Sequence, residues 1–309
     1  MTDVPPHESD TDPDDLDGTV SWRELLEETR GKLAAAGIGV PDVDARRIVE
    51  EATGDDVVVV ADRLATVRGV ARLDRMVARR VAGEPLQYVL GSWGFRRLDL
   101  FVDGRVLIPR PETEVVCGLA LDEIDRVGAA VGATIHDRLP VADLGTGSGA
   151  IALAIVDERP FVDVWATDVS AEALQVASAN AAGVGRASRR VRLAEGSWFE
   201  ALPDELRSRL GVIVANPPYV AEGDDLPPEV ADWEPRGALV AGPDGLDDLR
   251  RIVAGAPAWL RPGGALVVEL APHQAAEVAG LARAAGLEPE IGRDLTGRDR
   301  AVVARLPDA

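Results

Sequence analysis

Four consecutive residues, Asn216-Pro217-Pro218-Tyr219, follow the apolar run Val212-Ile213-Val214-Ala215. Asn216 precedes a proline and is pushed away from helical geometry, while the two prolines fix the next torsions and remove two N–H donors. What remains is a rigid turn that offers a side-chain oxygen and backbone carbonyls. Such a turn suits a planar NH2 group, with one hydrogen held by the Asn216 side-chain oxygen and the other by the Pro217 carbonyl. Tyr219 can stack on the plane of the same group. An amide or exocyclic amine nitrogen is a poor nucleophile because its lone pair is delocalised. Holding both N–H groups orients that nitrogen and favours the charge it gains as it attacks an electrophilic methyl group in line. No carboxylate sits in the motif to act as a base, so the extra proton leaves after transfer, to water or to a neighbouring carbonyl. The candidate catalytic residues are Asn216, Pro217 and Tyr219, and the same turn with Pro218 is the candidate substrate site.

A second constellation points to a cofactor. The stretch VADLGTGSGAIALAI (141–155) ends a buried strand at Asp143, turns through Gly145, Thr146, Gly147, Ser148 and Gly149, and enters an apolar helix. Glycines let the backbone approach a ligand closely, and the helix start offers free N–H groups. Alone, this stretch also reads as a plain tight turn, and it fits the G-x-G-x-x-A pattern of a dinucleotide site. Asp168 closes the next strand in VWATDVS, 23 residues after Gly145. A carboxylate there can accept both hydroxyls of a ribose; its other reading, a helix cap, is better filled by Ser170. Glycine turn and strand-end acid together indicate an adenosine-containing cofactor without saying which. The Asn-Pro-Pro-Tyr turn decides in favour of S-adenosylmethionine.

These residues need a scaffold that brings strand ends together. Strands fit PVADLG, VDVWATD, RVRLAEG, GVIVANP, ALVVEL, EPEIGRDL and DRAVVARL, most of them separated by helix-compatible stretches. That alternation predicts an α/β fold with a mostly parallel, doubly wound sheet. The turn around TGR leaves no room for a helix, so the last two strands form an antiparallel hairpin. Seven strands ending in such a hairpin are the layout of the class I S-adenosylmethionine-dependent methyltransferases. The catalytic domain is expected over residues 111–309. Ahead of it, residues 86–110 read as a β-hairpin connector. Residues 19–85 read as a small helical domain with no convincing strand, its helices starting at the Ser21/Glu24 capping box, at Pro41 and near Val70. Residues 1–18, acidic and almost free of large apolar side chains, read as a disordered tail.

Composition narrows the function classes. With 33 basic against 53 acidic residues the formal charge is −20, which disfavours binding to phosphate backbones. Cys117 is alone, so no intrachain disulfide forms and a reducing cytoplasm is expected. The histidines His7, His136 and His273 have no metal-ligand spacing, and no apolar run reaches membrane-spanning length. No metal, no nucleic acid and no membrane are therefore expected as partners, and the chain is expected to be a monomer.

With these residues in place the chain resembles the PrmC/HemK family, the release-factor glutamine N5-methyltransferases, over nearly everything from residue 20 to 306. The resemblance is carried by GEPLQYVLG, LIPRPETE, DLGTGSG, GSWF, NPPYV, EPRGALVAGPDGL, LRPGGALVVEL and DLTGRDR in this order. It implies that Gly145 to Gly149, Asp168, Trp198 and Asn216 surround S-adenosylmethionine, with Arg110, Glu112 and Thr113 beside the cofactor and closing the pocket. It further implies that Asn216 to Tyr219 hold the glutamine of the Gly-Gly-Gln motif of class I peptide chain release factors, and that the helical domain helps to grip that protein. Two departures stand out. Ser197 occupies the position before the Trp of GSWF where the family often has an acidic contact to adenine, with Glu195 the nearby substitute. VVELAPHQ lacks the glycine expected soon after its glutamate, and His273 there reads as a surface residue. Two rival readings share the Asn-Pro-Pro-Tyr turn. A ribosomal-protein glutamine methyltransferase fits LIPRPETE and GEPLQYVLG less well. An adenine-N6 DNA methyltransferase calls for a basic surface, against which the charge and the acidic loop AEGDDLPPEVADWEP argue.

Overall fold

The computed structural model describes residues 17–308 of the chain, with side chains from residue 19 onward. Residues 1–16 of the expected tail lie outside the described residues. Its last two, Asp17 and Gly18, open a strand instead. The described residues divide into two compact units, one up to residue 90 and one from residue 91 onward.

The first unit runs β1 (Asp17–Ser21), α1 (Trp22–Ala35), α2 (Pro41–Thr53), α3 (Val57–Val60), β2 (Leu64–Thr66), α4 (Val67–Val81) and α5 (Leu86–Leu90). Ser21 caps α1 reciprocally: its hydroxyl accepts from the Glu24 N–H while its own N–H donates to the Glu24 carboxylate at 2.9 Å. Trp22, Leu33, Ile48, Leu73 and Met76 fill the core between the helices. Arg80 and Asp44 form a buried ion pair at 2.7 Å. The strands are a departure from the sequence reading, since β1 pairs antiparallel with β2 where no strand was expected. β2 has three residues, too few for an alternating pattern to show. Leu86–Leu90, expected within the hairpin connector, is helical and buries Leu86 and Val89 in this unit's core.

The second unit opens with the hairpin β3 (Ser92–Phe95) and β4 (Leu98–Phe101), then α6 (Pro111–Val131). There follow β5 (Leu139–Leu144), α7 (Ala150–Glu158), β6 (Val162–Asp168), α8 (Ala171–Val184), β7 (Val191–Glu195) and β8 (Leu210–Ala215). The chain ends through α9 (Pro228–Ala231), α10 (Asp247–Gly255), β9 (Leu260–Glu269), α11 (Ala275–Ala284), β10 (Glu288–Arg293) and β11 (Asp299–Arg305). The seven-stranded sheet has the order β10-β11-β9-β8-β5-β6-β7. Six of the seven strands run in one direction and β11, between β10 and β9, runs against them. This is the class I methyltransferase fold.

Side-chain alternation along the strands divides the core into two layers. Val141, Val164, Val212, Val214 and Val267 pack toward α6 and α7, while Ala142, Leu144, Ile213, Ala215, Leu266 and Val268 pack toward α10 and α11. Each fully buried valine, leucine or isoleucine among them contributes about 1.5–3 kcal/mol, so the strand register is firmly fixed. After β5 the sheet grows first to one side, through β6 and β7, and then to the other, through β8 and β9. The reversal leaves a crevice at the carboxyl ends of β5 and β8, where open α/β sheets bind ligands. Leu144 pairs with both Thr167 and Ala215, so the turns that follow β5, β6 and β8 start at one level.

Candidate active site

Gly145 begins the turn after β5 at φ +74, a left-handed conformation that side chains resist, and a Cβ there would lie 3.0 Å from the Trp198 ring. The N–H groups of Gly145 and Thr146 both donate to the Thr167 carbonyl at 2.8 Å, which pins the turn to β6. Beneath it Asp143 is 1% exposed; its Oδ2 accepts from the Thr146 hydroxyl at 2.6 Å and from the Ala152 N–H at 3.1 Å. Its Oδ1 is buried without a partner among the described residues, and burial pushes the carboxyl up to about 7. Asn180 of α8 braces the far side: its amide NH2 donates to the Ser148 carbonyl at 2.8 Å and to the Phe101 carbonyl at 3.0 Å, and its oxygen accepts from the Phe101 N–H.

Asp168 ends β6 beside this turn. Its Oδ2 accepts from the Gly147 N–H at 2.8 Å and its Oδ1 from the Ser170 N–H at 2.9 Å. Burial raises its pKa, and the backbone donors oppose that rise. The Val169 N–H is a third backbone donor to this carboxylate, which keeps acceptor capacity for a ligand. Ser170 takes the helix cap through the Ala173 N–H, so Asp168 is not needed for it. Trp198 sits in the left-handed region at φ +49, held by a bond from its indole N–H to Asp248 at 3.2 Å and by the Thr167 hydroxyl on its carbonyl.

Asn216 ends β8, and its NH2 donates to the Thr113 hydroxyl oxygen at 3.1 Å. That commitment leaves the Asn216 Oδ1 free to accept. Tyr219 is anchored at both ends. Its hydroxyl donates to Glu269 Oε1 at 3.4 Å, and its carbonyl accepts from the Gln274 NH2 at 2.9 Å. Burial raises the Tyr219 pKa, and the Glu269 charge adds to the rise. Gly245 passes so close behind that a Cβ would sit 2.3 Å from the Tyr219 carbonyl oxygen.

The turns enclose a cavity of about 510 Å³ lined by Thr113, Gly145, Thr146, Gly147, Ser148, Asp168, Trp198, Asn216 and Pro218, with Ser197, Asp248 and Arg251 on its wall. Five expected site residues do not line it. Gly149 lies under the turn as the cap of α7, Pro217 is buried, and Tyr219 stands behind the wall against Glu269. Glu112 is half-buried in the first turn of α6. Arg110 reaches away to pair with the buried Glu234, which also accepts from the Ile108 N–H, so it ties two loops together. Glu195 is exposed at the end of β7 and does not line the cavity, so it does not stand in for an acid at Ser197; the acid on that wall is Asp248. His273 is exposed. Without the expected glycine, the loop after Glu269 (Leu270-Ala271-Pro272) is held by Gln274, whose side chain binds the Ala271 N–H and the Tyr219 carbonyl.

Glu269, Asn180, Asp248 and Gln274 were missed as contributors to the site. Glu269 carries the same signal as Asp143 and Asp168, a single acid closing an apolar strand. Glu234 was legible only as part of an acidic loop. Among the described residues no cluster of His, Cys, Asp or Glu is arranged to hold a metal ion, and no helix is long and apolar enough to cross a membrane.

The cavity volume lies within the range of small-ligand pockets. A glycine turn beside a carboxylate with acceptor capacity to spare fits the ribose and the close-packed chain of S-adenosylmethionine. Residues 24–91 match the family described as PrmC N-terminal domain, and residues 120–231 match the Methyltransferase small domain. A release factor glutamine methyltransferase of Cereibacter sphaeroides is 42% identical over 287 residues, covering 90% of this chain and 96% of that protein. One from Deinococcus radiodurans is 41% identical over 290 residues, covering 92% and 98%. Among solved structures, the hMettl16 catalytic domain in complex with MAT2A 3'UTR hairpin 6 is similar at a TM-score of 0.50 and 16% identity, covering 80% of this chain and 85% of that one. That likeness is one of fold.

Proposed function

Because the chain belongs to the release factor glutamine methyltransferase family, we propose that it transfers a methyl group from S-adenosylmethionine to the side-chain nitrogen of the glutamine in the Gly-Gly-Gln motif of class I peptide chain release factors. The observation that carries this reading is Asn216: its NH2 is engaged by Thr113, and its free oxygen stands at the wall of the cavity that holds the glycine turn and Asp168.

S-adenosylmethionine, when bound, supplies an electrophilic sulfonium methyl group. The chain's residues hold and orient. Asp168 takes the ribose hydroxyls, and the Gly145 to Gly149 turn admits the ligand against the backbone. Trp198, fixed by Asp248, walls the cavity beside Ser197. Asn216 Oδ1 accepts an N–H of the substrate amide and so orients the nitrogen lone pair toward the methyl group, while the buried Pro217 keeps the turn rigid. Pro218 walls the cavity, and Tyr219 stiffens the turn from behind rather than stacking within that cavity. Thr113 acts through Asn216, and Arg110 through its clasp on Glu234. Two glycines before the target suit a narrow approach, since neither has a side chain to clear. The helical unit of residues 19–90 is assigned to gripping the release factor. The cytoplasm is where release factors serve translation, and the buried free thiol of Cys117 suits a reducing compartment.

Incubation with labelled S-adenosylmethionine and an intact class I release factor, followed by peptide mapping, tests this. The expected result is one added methyl group on the Gly-Gly-Gln glutamine. Label on a different protein, or none on that glutamine, overturns the assignment.

A further inference from the structure

An Asn side chain is useful at this site only if it faces the right way round. With Oδ1 toward the substrate it accepts from the glutamine NH2; reversed, it sets NH2 against NH2. Its one partner, the Thr113 hydroxyl, does not decide the matter alone, because a hydroxyl can accept from Nδ2 or donate to Oδ1 equally well. Something beyond Thr113 must fix the direction of that hydrogen bond.

The residue next in line is Glu269, at the end of β9 beside β8. It is 1% exposed, its Oε1 accepts from the Tyr219 hydroxyl, and its Oε2 is buried with no hydrogen-bond partner among the described residues. The Thr113 hydroxyl is close enough to favour the charged form of this carboxyl. Glu269 does not line the cavity. We propose that Glu269 is a positioning residue, which acts through the Thr113 hydroxyl to turn the Asn216 side-chain oxygen toward the substrate amide. This inference rests on the reading that Asn216 receives that amide.

The chemistry follows from what a carboxylate can do. Ionised, Glu269 only accepts. It attracts the Thr113 proton, which leaves a Thr113 lone pair for Asn216 Nδ2; of this chain the structure shows the second link, the Asn216 NH2 donating to the Thr113 oxygen at 3.1 Å. Protonated, Glu269 can donate to Thr113, whose own proton then turns to Asn216 and calls for Oδ1. The amide reverses and the acceptor is lost. Burial pushes Glu269 up to about 7. Of the groups facing it, Thr113 and Tyr219 favour the anion by hydrogen bonding and Arg300 of β11 by its charge, while Glu112 of α6 opposes the anion. Arg300 is itself shared with Asp294. The switch thus falls inside the range in which the enzyme can be assayed.

The test is the pH dependence of kcat for the full chain on an intact release factor, with S-adenosylmethionine saturating. In the parent, kcat should rise about tenfold per pH unit below a midpoint near 7 and then level off. Glu269→Gln, neutral at every pH, should lose that limb and lower the plateau about 10- to 100-fold, the scale of losing one aligned hydrogen bond at the reacting atoms. Its KM for S-adenosylmethionine should stay within about twofold, because Glu269 acts only through Thr113. Thr113→Val should lose the same limb, and the double variant should fall no further than the lower single one, as for two members of one chain. Cofactor binding and the unfolding midpoint report whether each variant folds; should Glu269→Gln fail to fold, the limb in Thr113→Val decides alone. Retention of the limb with a plateau within twofold of the parent in either folded variant overturns the proposal, and so do additive losses in the double variant. A parent that leaves the glutamine unmethylated overturns the functional reading itself, whereas an active parent with an unaltered Glu269→Gln profile overturns this inference alone.

Discussion

Replacing Asp168 with alanine removes one carboxylate whose two oxygens each hold a backbone N–H, from Gly147 at 2.8 Å and from Ser170 at 2.9 Å. The acceptor capacity left on the carboxylate is what a ribose diol would use. A hydrogen bond to a charged group is worth about 1.5–3 kcal/mol, and water entering the vacated space recovers part of it. The net loss of S-adenosylmethionine affinity is therefore roughly 1–3 kcal/mol, or about 5- to 150-fold in Kd. Asp168→Asn should not restore it, since its NH2 must face either the Gly147 or the Ser170 N–H, donor against donor. Calorimetric titration of parent and variants at one ionic strength measures the loss, with the unfolding midpoint as a control for the orphaned N–H groups. Equal affinity in parent and Asp168→Ala would remove Asp168 from the ribose site. Tighter binding of a nicotinamide dinucleotide than of S-adenosylmethionine would refute the cofactor assignment.

Three further outcomes are expected. Gly245→Ala combines a left-handed φ of +72 with a Cβ placed 2.3 Å from the Tyr219 carbonyl oxygen; it should destabilise the chain by more than the ~1–2 kcal/mol of the backbone term alone and slow turnover by displacing the Tyr219 end of the turn, and a parental denaturation midpoint would contradict this. Burial raises Asp143 from 3.8 to about 7, so the folded state keeps a proton that the unfolded state releases, and the unfolding free energy should fall as pH climbs through that window; Asp143→Asn should flatten this part of the pH–stability curve, and an identical slope in parent and variant would show that Asp143 titrates normally. A chain beginning at Gly91, which contains the whole cavity, should still bind S-adenosylmethionine but lose most activity on an intact release factor; full activity would remove residues 19–90 from substrate recognition.

The strands and turns of the second unit were legible because each is an apolar run ended by a residue with a distinct constraint: Asp143 before glycines, Asp168 before Ser170, Asn216 before two prolines. Short-range patterns of this kind survive in one sequence. The two-stranded β1–β2 pair was not legible, since β2 spans only Leu64–Thr66 and pairs across more than forty positions. The residue types of the inward parts of the site are plain in the sequence; their placements are less so. Tyr219 has the right chemistry to stack on an amide, yet its hydroxyl goes to Glu269 and its carbonyl to Gln274, contacts set by strand neighbours rather than by local spacing. Arg110 likewise follows Glu234, which lies 124 positions away. Such partners depend on how the chain returns on itself.

The most direct measurement is the single-turnover rate of methyl transfer to the Gly-Gly-Gln glutamine by Asn216→Ala, with S-adenosylmethionine binding measured alongside. Alanine removes the side-chain oxygen while the two prolines keep the turn, so the rate should fall about 10²- to 10³-fold, the cost of one preorganised hydrogen bond at the reacting centre. Cofactor affinity should change far less. Asn216→Asp, which keeps an acceptor but adds a charge, should also turn over more slowly than the parent while retaining the cofactor. Methylation of that glutamine by Asn216→Ala at the parental rate would show that the Asn-Pro-Pro-Tyr turn does not hold the substrate amide.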